Sequence, residues 1–238
     1  MYSLKGKTAL VTGSSSGIGK AILVALANKG CDVILHYFKN KKNVLNVVAY
    51  SADLTKEKEV EKLFKKIKRL DILVNNVGNY LKKPLDELKT KEWHEIINSN
   101  LHATYYCAHF ALPLLRKSKF GRIINIGYAS TGQIVAKPQI LPYQIAKTGI
   151  LLMTKAYAVS EAKNNILVNM ISPGVMENTT HFPKKEIPLK KVGKLKGLAE
   201  LVIQTIESDY LTGAHIEYAG GFNLWISLPA YKLRAQQN

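Results

Sequence analysis

Thr8-Ala9-Leu10-Val11-Thr12-Gly13-Ser14-Ser15-Ser16-Gly17-Ile18-Gly19 begins as a short apolar run fit for a buried strand and stops at a glycine-rich turn. A helical pattern follows at once. Ile22, Leu23, Ala25, Leu26 and Ala27 supply its apolar positions, and Gly30 is its expected C-terminal stop. In a strand–turn–helix unit of this kind, backbone amides at the helix start face a phosphate and the helix dipole favours negative charge there. The glycines let the backbone approach a pyrophosphate closely. A glycine-rich turn alone is an ordinary loop; the strand before it and the helix after it make it a dinucleotide-binding signal.

The rest of the chain repeats the alternation. Asp32–Tyr37 reads as a second strand, its end running into His36-Tyr37-Phe38-Lys39-Asn40-Lys41-Lys42. An acidic residue at the end of that strand would hydrogen-bond a ribose 2′-hydroxyl. Lysines stand there instead, which suits a 2′-phosphate, so the expected cofactor is NADP(H), with Lys39 as the leading phosphate contact. The third strand, Val47–Ser51, follows after a crossover shorter than the dozen or more residues that parallel strands usually require. Asp53-Leu54 then leads into an amphipathic helix bearing Val60, Leu63, Phe64 and Ile67, with Asp53 either its N-cap or an adenine-side contact.

Asp71–Val74 reads as the fourth strand and ends in Asn75-Asn76-Val77-Gly78. A helical region spans about residues 90–115, with a kink or late break expected at Pro113. Arg122–Ile126 is the fifth strand and runs into the small polar loop Gly127-Tyr128-Ala129-Ser130-Thr131-Gly132. A helix carrying Tyr143 comes next, then the strand Leu167–Ser172 closed by Pro173-Gly174. Residues 175–194 lack periodicity and read as a loop of the kind that sets substrate specificity. A helix around Leu198–Ile206 and a strand His215–Tyr218 complete the chain. Strands alternating with helices predict an α/β fold, a Rossmann-type doubly wound parallel sheet with helices on both faces, as a single domain over residues 1–238.

Within the helix between the fifth and sixth strands lies Pro142-Tyr143-Gln144-Ile145-Ala146-Lys147. Residues four apart share one helix face, which places the Lys147 ammonium near the Tyr143 hydroxyl. A nearby positive charge favours the phenolate, and a phenol tuned in this way can exchange protons at neutral pH.

Composition narrows the function classes. Of the 238 residues, 47% are hydrophobic, yet no run is long and apolar enough for a membrane span, and the first residues lack the core of a secretory signal. Two cysteines, Cys31 and Cys107, make no disulfide framework. These features point to the cytoplasm. The six histidines show no metal-ligand spacing, so no metal is expected. The net charge of +17 comes mostly from lysine, with no arginine-rich segment. It reads as solvated helix faces, with a rim able to recruit anionic cofactors or an acidic carrier, rather than as a nucleic-acid site.

Taken in order, Thr12-Gly-x-x-x-Gly17-Ile-Gly19, Asp53-Leu54, Asn75-Asn76-x-Gly78, Asn100, Tyr143-x-x-x-Lys147 and Pro173-Gly174 resemble the short-chain dehydrogenase/reductase family over essentially the whole chain. The resemblance implies a nicotinamide cofactor and hydride transfer to or from a carbonyl. It makes Tyr143 the proton donor, Lys147 the residue that lowers its pKa and holds the nicotinamide ribose, and Asn100 the anchor of a relay water. It assigns the cofactor to Gly13, Ser15, Ser16, Gly17, Ile18 and Gly19, to His36, Phe38, Lys39 and Asn40, to Asp53 and Leu54, to Asn76, Val77 and Gly78, and to Pro173, Gly174 and Val175, together with Tyr143 and Lys147. The family also places a serine after the fifth strand to polarise the substrate oxygen. Counting back from Tyr143 puts it at Ser130; counting forward from Gly121-Arg122 puts it at Tyr128, which implies a small insertion. Ser130 is the expected residue and Tyr128 the second hydroxyl candidate. Length and motif order are similar to the 3-oxoacyl-[acyl-carrier-protein] reductases, while His36–Asn40 resembles the cofactor loop of pteridine reductases. The resemblance further implies a homotetramer or dimer. A non-catalytic cofactor-binding member of the fold is the alternative from another class.

Overall fold

The computed structural model describes residues 2–40, 44–179 and 187–222. Strands β1 (Thr8–Val11), β2 (Asp32–Tyr37), β3 (Val48–Ser51), β4 (Ile72–Asn75), β5 (Arg122–Ile126), β6 (Leu167–Pro173) and β7 (His215–Tyr218) form one parallel sheet in the order β3-β2-β1-β4-β5-β6-β7. Helices α1 (Gly17–Asn28), α2 (Glu57–Lys65), α3 (Thr90–Ile97), α4 (Ala103–Lys117), α5 (Leu141–Glu161) and α6 (Leu195–Glu207) cover both faces. This is the doubly wound arrangement expected from the alternation. The strand order reverses between β1 and β4, and ligands bind in the crevice at the carboxyl ends of strands at such a switch point.

Period-two alternation divides the strand side chains between two cores. Ala9 and Val11 of β1, and Ile72 and Val74 of β4, join Ile22, Leu23 and Leu26 of α1 and Leu198, Val202 and Ile206 of α6. Leu10 and Leu73 point the other way, onto Val60, Leu63 and Phe64 of α2 and Cys107, Ala111 and Leu115 of α4. Both faces are therefore dry, which is why the strands read as continuous apolar runs.

The structure redraws three local expectations. The long helical region does not break at Pro113, which lies inside α4. It is interrupted earlier, by a wide π-type turn at Asn98–His102 between α3 and α4. Asp53 does not cap α2, whose N-cap is Lys56. The Asp53 carboxylate instead accepts hydrogen bonds from the backbone N–H and hydroxyl of Thr55, at 3.1 and 2.7 Å, closing a turn ahead of the helix. The loop expected over 175–194 is partly ordered: Met176 and Gly193 form a parallel bridge, and residues 180–186 lie outside the described residues, as do 41–43 of the lysine cluster.

Candidate active site

The glycine-rich turn is built from backbone that side chains would obstruct. Gly13 has φ +61°, in the left-handed region. A Cβ at Gly19 would fall 2.5 Å from the Gly13 carbonyl oxygen and 2.6 Å from Asn76 Nδ2. The turn thus folds tightly on itself and leaves its outer side to a ligand. It is also tied to β4. The Thr12 hydroxyl accepts from the Asn76 and Val77 N–H groups at 2.8 and 3.2 Å, and the Asn76 amide donates to the Thr12 and Gly13 carbonyls at 3.0 and 3.3 Å. Asn76 therefore braces the turn. Thr12, 1% exposed, has a joining role that its place at the head of the motif could have signalled.

His36 also departs from expectation as a cofactor contact. Its ring is buried beneath the turn. Nδ1 accepts from the Gly13 N–H at 3.0 Å and Nε2 lies 3.1 Å from the Ala52 carbonyl, which fixes a neutral ring protonated at Nε2. Burial pushes its pKa down to about 4. With both nitrogens engaged by backbone, the ring ties β2, β3 and the turn together. Leu54 is likewise buried in the α2–α4 core. Phe38 and Lys39 do reach the surface, where the Lys39 ammonium lies 5.2 Å from the Phe38 ring centroid. Ser16 is the N-cap of α1 and makes no side-chain cap bond. At the far side of the crevice, Gly174 N–H donates to the Tyr218 carbonyl, the Val175 carbonyl accepts from Gly193, and the Pro173 carbonyl accepts from Ala129.

Tyr143 and Lys147 share one face of α5, with the Lys147 nitrogen 5.5 Å from the Tyr143 ring centroid. Lys147 is buried and donates to the Ile126 carbonyl at the end of β5, at 2.8 Å. An ammonium carries three donors, so two remain for ribose hydroxyls. Burial pushes the Lys147 pKa down to about 8. The Tyr143 phenol is pushed above its ordinary value, first by burial and then by the neighbouring Tyr128 and Tyr80 phenols. This reverses the expectation that Lys147 holds Tyr143 toward the phenolate. Without a ligand, Tyr143 is a protonated donor.

Asn100 lies in the π-type turn and is fully buried. Its amide nitrogen donates to the Asn79 and Ile96 carbonyls at 2.9 and 3.0 Å, the latter in the last turn of α3. Its Oδ1 is buried without a protein partner among the described residues. A buried amide oxygen left bare is costly, and a bridging water or ligand hydroxyl would satisfy it. The Asn79 contact leads towards Tyr143, because the ring of the next residue, Tyr80, meets the Tyr143 ring edge-on at 5.1 Å. Nothing in the local pattern signalled Tyr80.

Ser130 does not take the expected place. It is fully buried at φ +81°, its N–H donates to Glu217 and its hydroxyl accepts from the Lys137 ammonium at 2.8 Å. Of the two hydroxyl candidates, it is Tyr128 that packs against Tyr143, with ring centroids 5.3 Å apart. The loop after β5 turns the Ser130 N–H towards Glu217 of β7 and leaves the Tyr128 ring on the α5 side.

These residues fit a nicotinamide dinucleotide: a turn open to a pyrophosphate, a buried lysine with spare donors, and a tyrosine at the crevice. Comparison with known proteins agrees. A family model described as short chain dehydrogenase matches residues 7–188. The chain is 31% identical to a 3-oxoacyl-[acyl-carrier-protein] reductase of Buchnera aphidicola, covering 90% of this chain and 96% of that protein. It is 32% identical to glucose 1-dehydrogenase 2 of Bacillus subtilis, covering 95% and 99%. Thermoplasma acidophilum aldohexose dehydrogenase superposes with a TM-score of 0.85 at 24% identity, covering 96% of this chain and 98% of that one, a likeness of fold.

Proposed function

The chain belongs to the short-chain dehydrogenase family of oxidoreductases, and from that premise we propose that it is an NADPH-dependent carbonyl reductase acting on a 3-oxoacyl thioester. The observation that carries the reading is the pairing on α5 of a protonated Tyr143 with a buried Lys147 that keeps donors to spare. When bound, NADPH supplies the hydride. Gly13, Gly17 and Gly19 shape the turn that receives the pyrophosphate, Lys147 holds the ribose, and Lys39 takes the 2′-phosphate. Tyr143 gives its proton to the substrate oxygen as the carbon gains hydride. The phenolate left behind is stabilised by the Lys147 charge and regains a proton through water held at Asn100 Oδ1.

The thioester reading draws on the 3-oxoacyl-carrier reductase relatives and on the lysine-rich surface, which complements an acidic carrier. A second reading, reduction of a flat dihydropteridine, is favoured by the three tyrosine rings, Tyr80, Tyr128 and Tyr143, gathered at one place. We place the protein in the cytoplasm, in keeping with two buried free cysteines. We also infer a homo-oligomer formed through the outer faces of α4 and α5, where Tyr105, Leu152 and Val159 are exposed.

The test is NADPH oxidation with acetoacetyl-CoA and with a dihydropteridine in parallel, for the wild type and Tyr143→Phe. Turnover of the thioester, abolished in the variant while NADPH still binds, supports the proposal. Turnover of the pteridine alone moves the substrate to the second reading. Full activity in Tyr143→Phe would sink the mechanism.

A further inference from the structure

The reductase reading leaves one part unfilled, a second donor to the substrate oxygen, because Ser130 is fully buried with its backbone N–H on Glu217 of β7 and its hydroxyl against Lys137. We propose that the Tyr128 phenol is that donor, a catalytic residue whose hydroxyl hydrogen-bonds the substrate oxygen alongside Tyr143. The inference rests on the reductase reading and adds a residue to it.

Position comes first. Tyr128 is the second residue beyond β5, directly after the strand whose last carbonyl receives Lys147, and its ring packs on the Tyr143 ring. Orientation is enforced from several sides. The backbone of Tyr128 closes a turn with Thr131, whose N–H donates to the Tyr128 carbonyl at 3.0 Å and whose hydroxyl accepts from the Tyr128 N–H at 3.1 Å. Ala129 N–H donates to the Pro173 carbonyl, which pins this turn to the end of β6. The Lys137 ammonium lies 5.4 Å from the centroid of the Tyr128 ring. The ring is therefore held before any substrate arrives.

The hydroxyl itself is the second, independent observation. It is shut off from solvent and has no hydrogen-bond partner among the described residues. Neighbouring polar groups are engaged elsewhere: the Ser130 hydroxyl accepts from Lys137, the Thr131 hydroxyl bonds the Tyr128 backbone, and Lys147 donates to the Ile126 carbonyl. A buried hydroxyl without a partner costs stability. It is accounted for when the missing partner is the oxygen that the site is built to receive. Burial also pushes this phenol up to about 12, so it keeps its proton throughout the neutral range and acts as a donor only.

In the step, the C=O π electrons move onto oxygen as hydride adds to carbon. The proton on that oxygen comes from Tyr143. Tyr128 keeps its own proton and holds the developing negative charge by a hydrogen bond that shortens as the charge grows. Such a donor acts in the transition state more than in the ground state, so its loss lowers kcat and kcat/KM together.

The experiment compares the wild type, Tyr128→Phe and Ser130→Ala as full-length proteins with NADPH and acetoacetyl-CoA. Tyr128→Phe is expected to lower kcat by about 10²-fold, the effect of deleting one such donor, with NADPH affinity unchanged and the cofactor-free protein as stable as the wild type or more so. Retention of wild-type kcat by Tyr128→Phe overturns the proposal. So does a lower melting temperature for that variant, which would make the hydroxyl structural. So does a hundredfold loss, about the size expected of one donor, that falls on Ser130→Ala instead. A wild type silent with every carbonyl tried is a different result: it removes the reductase reading and this inference with it.

Discussion

Acidification should unfasten the cofactor turn through one residue, His36. The folded protein keeps this imidazole neutral, between the Gly13 N–H and the Ala52 carbonyl, with its pKa moved from the ordinary 6.5 to about 4. The unfolded chain takes up a proton as pH falls below the ordinary value, and the folded state does not. The unfolded state thus binds more protons in that window, and stability falls with pH there. The contribution is whole above the ordinary value, declines down to about 4 and changes no further below it. Integrated to about pH 5, the loss is roughly 2 kcal/mol, rising to about 3 kcal/mol once the folded ring is also protonated. His36→Gln removes the titration while keeping an amide that can accept and donate. Urea unfolding followed by circular dichroism at neutral pH and at about pH 5 reads the difference between the two proteins. His215, also lowered by burial, and the carboxylates titrate in both proteins and cancel. The wild type should lose roughly 2 kcal/mol more than His36→Gln over this interval. Parallel losses would refute the argument that a neutral His36 holds the turn.

Other outcomes follow from the same geometry. Because burial sets Lys147 at about 8, its charge is present below that value and lost above it; kcat/KM for reduction should fall about tenfold per pH unit on the alkaline side, which a pH–rate profile checks. Gly19→Ala puts a Cβ 2.5 Å from the Gly13 carbonyl, so it should destabilise the fold by roughly 1–3 kcal/mol and weaken NADPH binding, read by thermal melts with and without cofactor. Lys39→Ala should raise the Kd for NADPH by about tenfold, the equivalent of about 1.4 kcal/mol, and leave NADH binding unchanged in fluorescence titrations.

What was legible in the sequence was what short spacing encodes. Apolar runs punctuated by glycine placed β1, the turn and α1, and helical periodicity put Tyr143 and Lys147 on one face of α5, because backbone geometry alone brings residues four apart together. Repeated alternation of strand and helix was enough for the doubly wound sheet. Tertiary structure decided matters that depend on residues far apart in the chain. Whether Ser130 or Tyr128 lies against Tyr143 was set by Glu217, Lys137 and Pro173, which claim the loop from β7, from α5's approach and from β6. Local counting gave both answers because the spacing from Gly121-Arg122 and the spacing back from Tyr143 disagree. The role of His36 depended on Gly13 and Ala52, its partners only once three strands are paired. The protonated state of Tyr143 reversed the expectation for the same reason. Spacing counts a nearby lysine, but burial acts on the phenol more strongly, and only packing determines burial.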